Sequence, residues 1–370
     1  MIAEKFLSSI KTPVSADGCR HIPVNASRAY EVTVGRGILD TAGKSVRTLV
    51  KRATRAALVS DDTVYALYGK RVTASLEAAG LKVSAFVFPH GEAQKSPETL
   101  LSLWRFMAKE GITRTDAVIA LGGGVTGDLS GFAAATYLRG IAVLQIPTTL
   151  LSMVDSSVGG KTAVDLPEGK NLAGAFYQPH AVLCDVDTLN TLPPETFASG
   201  MAEVIKYGMI RNEPLFSYLE STDTPDVSAV IAASIEDKRA VVECDERDTG
   251  EREVLNFGHT LGHAVEHLSH FSLSHGEAVA VGMMLVTHAA VREGRIDAAV
   301  EKRLSALLTR YKLPTNTEES AERILSVAAG DKKRKGDKVT LVLPEKIGCV
   351  RREAFTLDVL LSYIKEGLTP

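Results

Sequence analysis

The spacing of hydrophobic and polar positions changes period part-way along the chain. Apolar, β-branched runs fall at 30–34, 56–60, 82–88, 116–121, 142–146 and 181–185, with helix-like stretches such as 63–79 and 97–110 between them. Strand–helix alternation of this kind predicts a parallel sheet covered by helices. From Pro194 onward the period is helical almost throughout, over 196–210, 227–244, 258–269, 276–292 and 298–311. One extended segment, 338–343, interrupts it before a final helix. The turn-forming run Thr191-Leu-Pro-Pro194 marks the change. The expectation is an α/β domain over 1–190 and a mainly α-helical domain over 191–370.

Composition narrows the partners. At 45% hydrophobic and 24% charged, the 370 residues are those of a globular chain, not a disordered one. A net charge of -3 and 6% aromatic residues argue against nucleic acid as a partner. The most apolar stretch, 278–291, contains Thr287 and His288 and falls short of the ~20 residues of a membrane span, so no membrane association is expected. Glu4 near the start, with no long apolar run after it, does not read as a secretory signal. Cys19, Cys184, Cys244 and Cys349 form no C-x-x-C pair, which suits reduced thiols in a cytoplasmic protein.

Three segments carry candidate chemistry. Gly122, Gly124 and Gly127 fit G-x-G-x-x-G after a strand and before a helix, where glycines admit a pyrophosphate to a helix N-terminus. The acidic residue usual about 20 positions on is absent, because Pro147-Thr148-Thr149 stands there. Gly160-Lys161-Thr162 has the end of a P-loop, but Asp155 occupies the position of its first glycine. Five of the nine histidines lie between His259 and His275, and His259 and His263 share a helical face. Imidazoles converging from two elements suit Zn²⁺, with a carboxylate such as Glu203 to complete the site and Lys206 one turn along. His263-Ala-Val-Glu266-His267 also matches the H-x-x-E-H metalloprotease pattern, which would leave the glycine loop without a purpose.

Taken in order, the blocks GGGVTGDLSGF, ATYLRG, QIPTTLLSMVDSSVGGKTAVD, GKNLAGAFYQP, TLPPETFASGMAEVIKYG, LNFGHTLGHAVEH, SHGEAVAVGM and DKKRKG resemble the 3-dehydroquinate synthases, a family of sugar-phosphate cyclases. The resemblance runs from about Val32 to the last helix. It implies a Rossmann-like NAD-binding domain followed by a helical metal-binding domain. It also implies conversion of 3-deoxy-D-arabino-heptulosonate 7-phosphate to 3-dehydroquinate, a step of the shikimate pathway of aromatic amino-acid biosynthesis. Other sugar-phosphate cyclases and metal-dependent polyol dehydrogenases are the alternatives.

Residue by residue, the resemblance puts the Zn²⁺ (or Co²⁺) ligands on Glu203, His259 and His275. Its NAD contacts fall on Asp61, His90, Gly91, Glu92, Lys95, Gly123, Gly124, Val125, Thr126, Gly127, Asp128, Thr148, Thr149, Lys161, Lys170, Thr188, Leu189, Asn190 and Thr191. Its substrate contacts fall on Arg139, Asp155, Lys161, Asn171, Lys206, Lys238, Arg252, Asn256, His263, Lys332 and Lys333. Arg139 is expected to reach a neighbouring subunit's site, which implies a homodimer. The chain departs from the family at His90, where Asp is usual, and its first twenty or so residues match nothing in the resemblance.

Overall fold

The computed structural model describes residues 1–270, 272–330 and 338–368. The chain forms two compact units. The first comprises Ile10–Leu192 and Val227–Arg247; the second comprises Met1–Ser9, Pro193–Asp226 and Asp248–Pro370. Residues 1–9 and the helix Val227–Cys244 thus fall in the opposite units to those a cut at 190/191 gives them.

The strands of the first unit are β1 (Arg20–Asn25), β2 (Ala29–Gly35), β3 (Arg55–Asp61), β4 (Lys82–Phe88), β5 (Ala117–Gly122), β6 (Ala142–Pro147), β7 (Lys161–Leu166), β8 (Gly169–Phe176) and β9 (Ala181–Asp185). Seven of them make one sheet in the order β1-β2-β9-β6-β5-β3-β4, in which only the β1–β2 pair is antiparallel. β5, β6 and β9 are buried at every residue, as expected where helices cover both faces of a parallel sheet. Alternate side chains feed two cores: Leu58, Ile119 and Leu144 on one face, Val59, Val118 and Val143 on the other.

From β3 the chain runs to β4 at one edge, then returns to lay β5 on the other side of β3 and continues through β6. The order therefore reverses between β3 and β5, where open α/β sheets leave a crevice at their carboxyl ends. β7 and β8 form a separate hairpin. The periodicity expected neither these two strands nor β1. The helix expected over 63–79 is present from Asp62 to Ala78, with a π turn at Tyr65–Gly69 inside it.

The second unit is built around the helix His275–Arg292, buried at nearly every residue from Gly276 to Ala290. Ser274 and Glu277 form a capping box that fixes where this helix begins, and so puts His275 in its first turn. Gly276 lies against the Ser199 backbone on the helix Pro194–Ile210, and Ser199 Oγ accepts its N–H at 3.0 Å. Gly282 lies as closely against the Gly258 carbonyl, just before the helix His259–Leu268. A hairpin of β10 (Lys338–Lys346) and β11 (Cys349–Thr356) extends the single segment expected at 338–343. The N-terminal helix Ile2–Ser9 stacks Phe6 on Tyr218 with ring centroids 4.3 Å apart.

A methyl group at Gly282 would overlap the Gly258 carbonyl oxygen and crowd the Gly262 nitrogen. Gly282→Ala is expected to cost about 1–3 kcal/mol, read as an earlier urea midpoint. An unchanged midpoint would show that these helices do not pack as described.

Candidate active site

In the first unit, most of the residues expected to meet NAD lie just past the carboxyl ends of parallel strands. Asp61 ends β3, His90–Lys95 follow β4, Gly123–Asp128 follow β5, Thr148 and Thr149 follow β6, and Thr188–Thr191 follow β9. The helix Gly124–Thr136 starts immediately after β5, so its first N–H groups face the crevice edge. Gly127 lets that helix settle on β6, because a Cβ there would stand 2.7 Å from Gln145 Oε1. At Gly124 the nearest atom to such a Cβ is Ser156 Oγ at 3.4 Å, an ordinary contact. A glycine turn that runs directly into a helix N-terminus fits a dinucleotide pyrophosphate.

The other residues of this edge have local partners. Asp61 Oδ1 accepts from Val64 N at 2.9 Å and so caps the next helix. Exposed His90 pairs through Nδ1 with Asp62 Oδ1 at 2.8 Å. Tyr68 Oη hydrogen-bonds Thr191 Oγ1 at 2.5 Å and the Thr188 carbonyl at 3.1 Å, a contact no sequence motif signalled. Lys170 on β8 approaches Glu92 at 3.9 Å. Burial pushes the Asp128 carboxyl up to about 6, against the pull of Lys95 at 2.6 Å.

In the second unit, Glu203 is fully buried on the helix Pro194–Ile210 and ion-paired with equally buried Lys206. Its Oε1 stands 3.4 Å from Nε2 of both His259 and His275. Neither carboxylate oxygen makes a well-directed hydrogen bond among the described residues. Burial alone would push this carboxyl up, but the Lys206 ammonium and the His259 and His275 imidazoles hold it well below the usual carboxylate range.

These spacings fit a metal ion. Two ligands ~2.1 Å from a tetrahedral ion stand ~3.4 Å apart. His259 turns Nδ1 to the Phe257 carbonyl at 3.2 Å, and His275 Nδ1 faces Glu266 Oε2 at 3.8 Å. Both rings therefore aim Nε2 at the Glu203 carboxylate, with the second nitrogen held from behind. His263, expected on the substrate phosphate, joins this cluster: ring nitrogens of His259, His263 and His275 all lie within 4.8 Å of one another. His267, which the metalloprotease reading needs, is not in that group.

The expected substrate residues divide between the units. In the first, buried Lys238 reaches the Asp155 carboxylate at 2.8 Å and its carbonyl at 2.5 Å. Lys95 there meets both Asp128 and Asn171, and Lys161 opens β7. Arg139, at φ +67, makes no hydrogen bond or ion pair with another expected site residue among the described residues. In the second, Arg252 is buried and Asn256 exposed on the turn Glu251–Asn256. Lys332 and Lys333 lie outside the described residues.

Comparison with known proteins gives two matching family models: 3-dehydroquinate synthase N-terminal over residues 85–199 and 3-dehydroquinate synthase C-terminal over 200–334. A 3-dehydroquinate synthase of Symbiobacterium thermophilum is 44% identical over 349 residues, 92% of this chain and 97% of its own. Among solved structures, the 2-epi-5-epi-valiolone synthase of Streptomyces hygroscopicus, with NAD⁺ and Zn²⁺ bound, aligns with a TM-score of 0.84 at 27% identity. That alignment covers 94% of this chain and 98% of the other. A 2-deoxy-scyllo-inosose synthase complexed with carbaglucose-6-phosphate, NAD⁺ and Co²⁺ shares the fold, with a TM-score of 0.82 at 24% identity over 94% of this chain and all of its own.

Burial pulls the His275 imidazolium down, but Glu203 and Glu266 outweigh it and raise the metal-free ring to about 9. A ligating ring must be neutral, so an entering ion expels this proton below that pH. Divalent-ion affinity is expected to rise up to about tenfold per unit from pH 7 to 9 and to level off above. Calorimetric titrations with Zn²⁺ check the slope, and a flat profile would remove His275 from the ligands.

Proposed function

The chain belongs to the 3-dehydroquinate synthase family, and on that footing we propose that it converts 3-deoxy-D-arabino-heptulosonate 7-phosphate to 3-dehydroquinate and phosphate. It is a carbon–oxygen lyase of aromatic amino-acid biosynthesis that depends on NAD and a divalent metal ion. Similarity to curated dehydroquinate synthases along 92% of the chain carries this reading, and the other cyclases and the polyol dehydrogenases are not favoured. An alcohol is oxidised to a ketone, which acidifies the neighbouring C–H so that phosphate can leave. The ketone is then reduced, the ring opens and an intramolecular aldol closes the carbocycle.

When bound, NAD takes and returns the hydride, while the metal polarises the reacting oxygens. Glu203, His259 and His275 hold the ion, a donor set that suits Zn²⁺ or Co²⁺, and Lys206 balances the buried carboxylate. The glycine loop Gly123–Asp128, with Thr148, Thr149 and Thr188–Thr191, holds the dinucleotide. Arg252, Asn256 and Lys238 donate to the substrate carboxylate, where a guanidinium can bind bidentately. Lys161, Asn171, His263 and Arg139 of a neighbouring subunit donate to the phosphate, and Asp155 keeps Lys238 in place. The reading includes a homodimer in the cytoplasm.

The test is phosphate release from the heptulosonate phosphate, with metal chelated and restored and NAD absent or in trace. Release that requires both, with dehydroquinate formed and no net NADH, is expected. Net NADH from a simple polyol would replace the reading with a dehydrogenase. Arg252→Ala is expected to raise KM and lower turnover without emptying the metal site; wild-type kinetics would remove the carboxylate clamp.

A further inference from the structure

Lys95 was expected only as a cofactor contact, yet its ammonium is already surrounded by protein. It is 5% exposed, 2.6 Å from Asp128 Oδ2, 2.5 Å from Asn171 Oδ1 and 4.0 Å from Glu92 Oε1. An ammonium has three donors and no acceptor; Asp128 and Asn171 take two of them, and Glu92 adds a longer ionic contact.

The same residues close a ring. The Lys95 carbonyl accepts from Asp165 N at 2.7 Å, Asp165 Oδ1 accepts from Asn171 N at 2.7 Å, and Asn171 Oδ1 accepts from Lys95 Nζ. Asn171 sits at φ +57, a left-handed conformation that asparagine tolerates better than most residues. Because an ammonium cannot accept, the Asn171 amide must turn its oxygen to Lys95, which leaves the NH₂ group directed elsewhere as a pure donor.

We infer that Lys95 is a positioning residue: it fixes the Asn171 amide with its NH₂ presented to the anionic substrate, and ties that orientation to Asp128 in the glycine-loop helix. This rests on the reading of Asn171 as a substrate contact. An amide free to rotate would offer its oxygen to the phosphate half of the time, and two oxygens facing each other repel. Loss of Lys95 therefore weakens the substrate through Asn171 and not independently of it.

The test is a double-mutant cycle of Lys95→Met and Asn171→Ala, with kcat and KM for the heptulosonate phosphate measured at saturating NAD and NAD affinity measured by calorimetry. Each single variant is expected to raise KM about tenfold, and the double variant to stay within about threefold of the worse single one. Lys95→Arg, which keeps the donors, recovers part of the loss. Asn171→Ala leaves NAD affinity near wild type, which separates the substrate effect from a cofactor effect. Should Lys95→Met fail to fold, Asp165→Ala opens the same ring and takes its place in the cycle. Effects that multiply, or a wild-type KM in Lys95→Met, overturn the inference while leaving the assigned reaction standing. A wild-type protein that neither binds NAD nor releases phosphate overturns the reaction and the inference together.

Discussion

The second unit is organised by one buried negative charge. Taking the Glu203 carboxylate out of water costs several kcal/mol, and only close, well-placed cations offset that. Lys206 supplies one from the next turn of the same helix, and His259 and His275 bring imidazole nitrogens to 3.4 Å from two other elements. The packing serves this meeting. Gly276 lets the backbone beside His275 touch the helix that bears Glu203, Gly282 does the same for the segment leading to His259, and the Ser274–Glu277 capping box fixes the turn that holds His275. These cations hold the carboxyl ionised although it is fully buried.

The first unit obeys a different constraint. A parallel sheet buried on both faces offers function only at its edges and strand ends. The reversal between β3 and β5 opens the carboxyl ends of the central strands, and the residues assigned to the dinucleotide cluster there on five successive strand exits. Charged groups that must sit near this edge are each held by a counter-charge: Lys238 by Asp155, Lys95 by Asp128, Lys170 by Glu92. The chemistry thus rests on rigid backbone and paired side chains.

Much of this was readable from the sequence because local signals coincided with chemistry. β5, ending at Gly122 and followed by Gly124 and Gly127, declares a strand, a turn and a helix N-terminus within a dozen residues. The histidine cluster announced a metal site by density, but the identity of the ligands did not follow from it. His259 and His263 share a face, and only the fold shows that Glu203, 56 positions upstream of His259, meets His259 and His275. Other features carried no local signal. The hairpin β7–β8 begins with the Lys161-Thr162 that mimics a P-loop, and the helix Val227–Cys244 has the same period as its neighbours in sequence although it packs in the other unit. Tyr68 and the Lys95–Asp165–Asn171 ring depend on residues far apart in the chain, which no motif joins.

In the proposed reading the buried Glu203 carboxylate holds a catalytic cation. Glu203→Gln keeps the shape and removes the charge, so metal content per chain after exhaustive dialysis tests it directly. About one divalent ion is expected per wild-type chain and almost none in the variant. A variant that retains its ion as firmly as the wild type would contradict it.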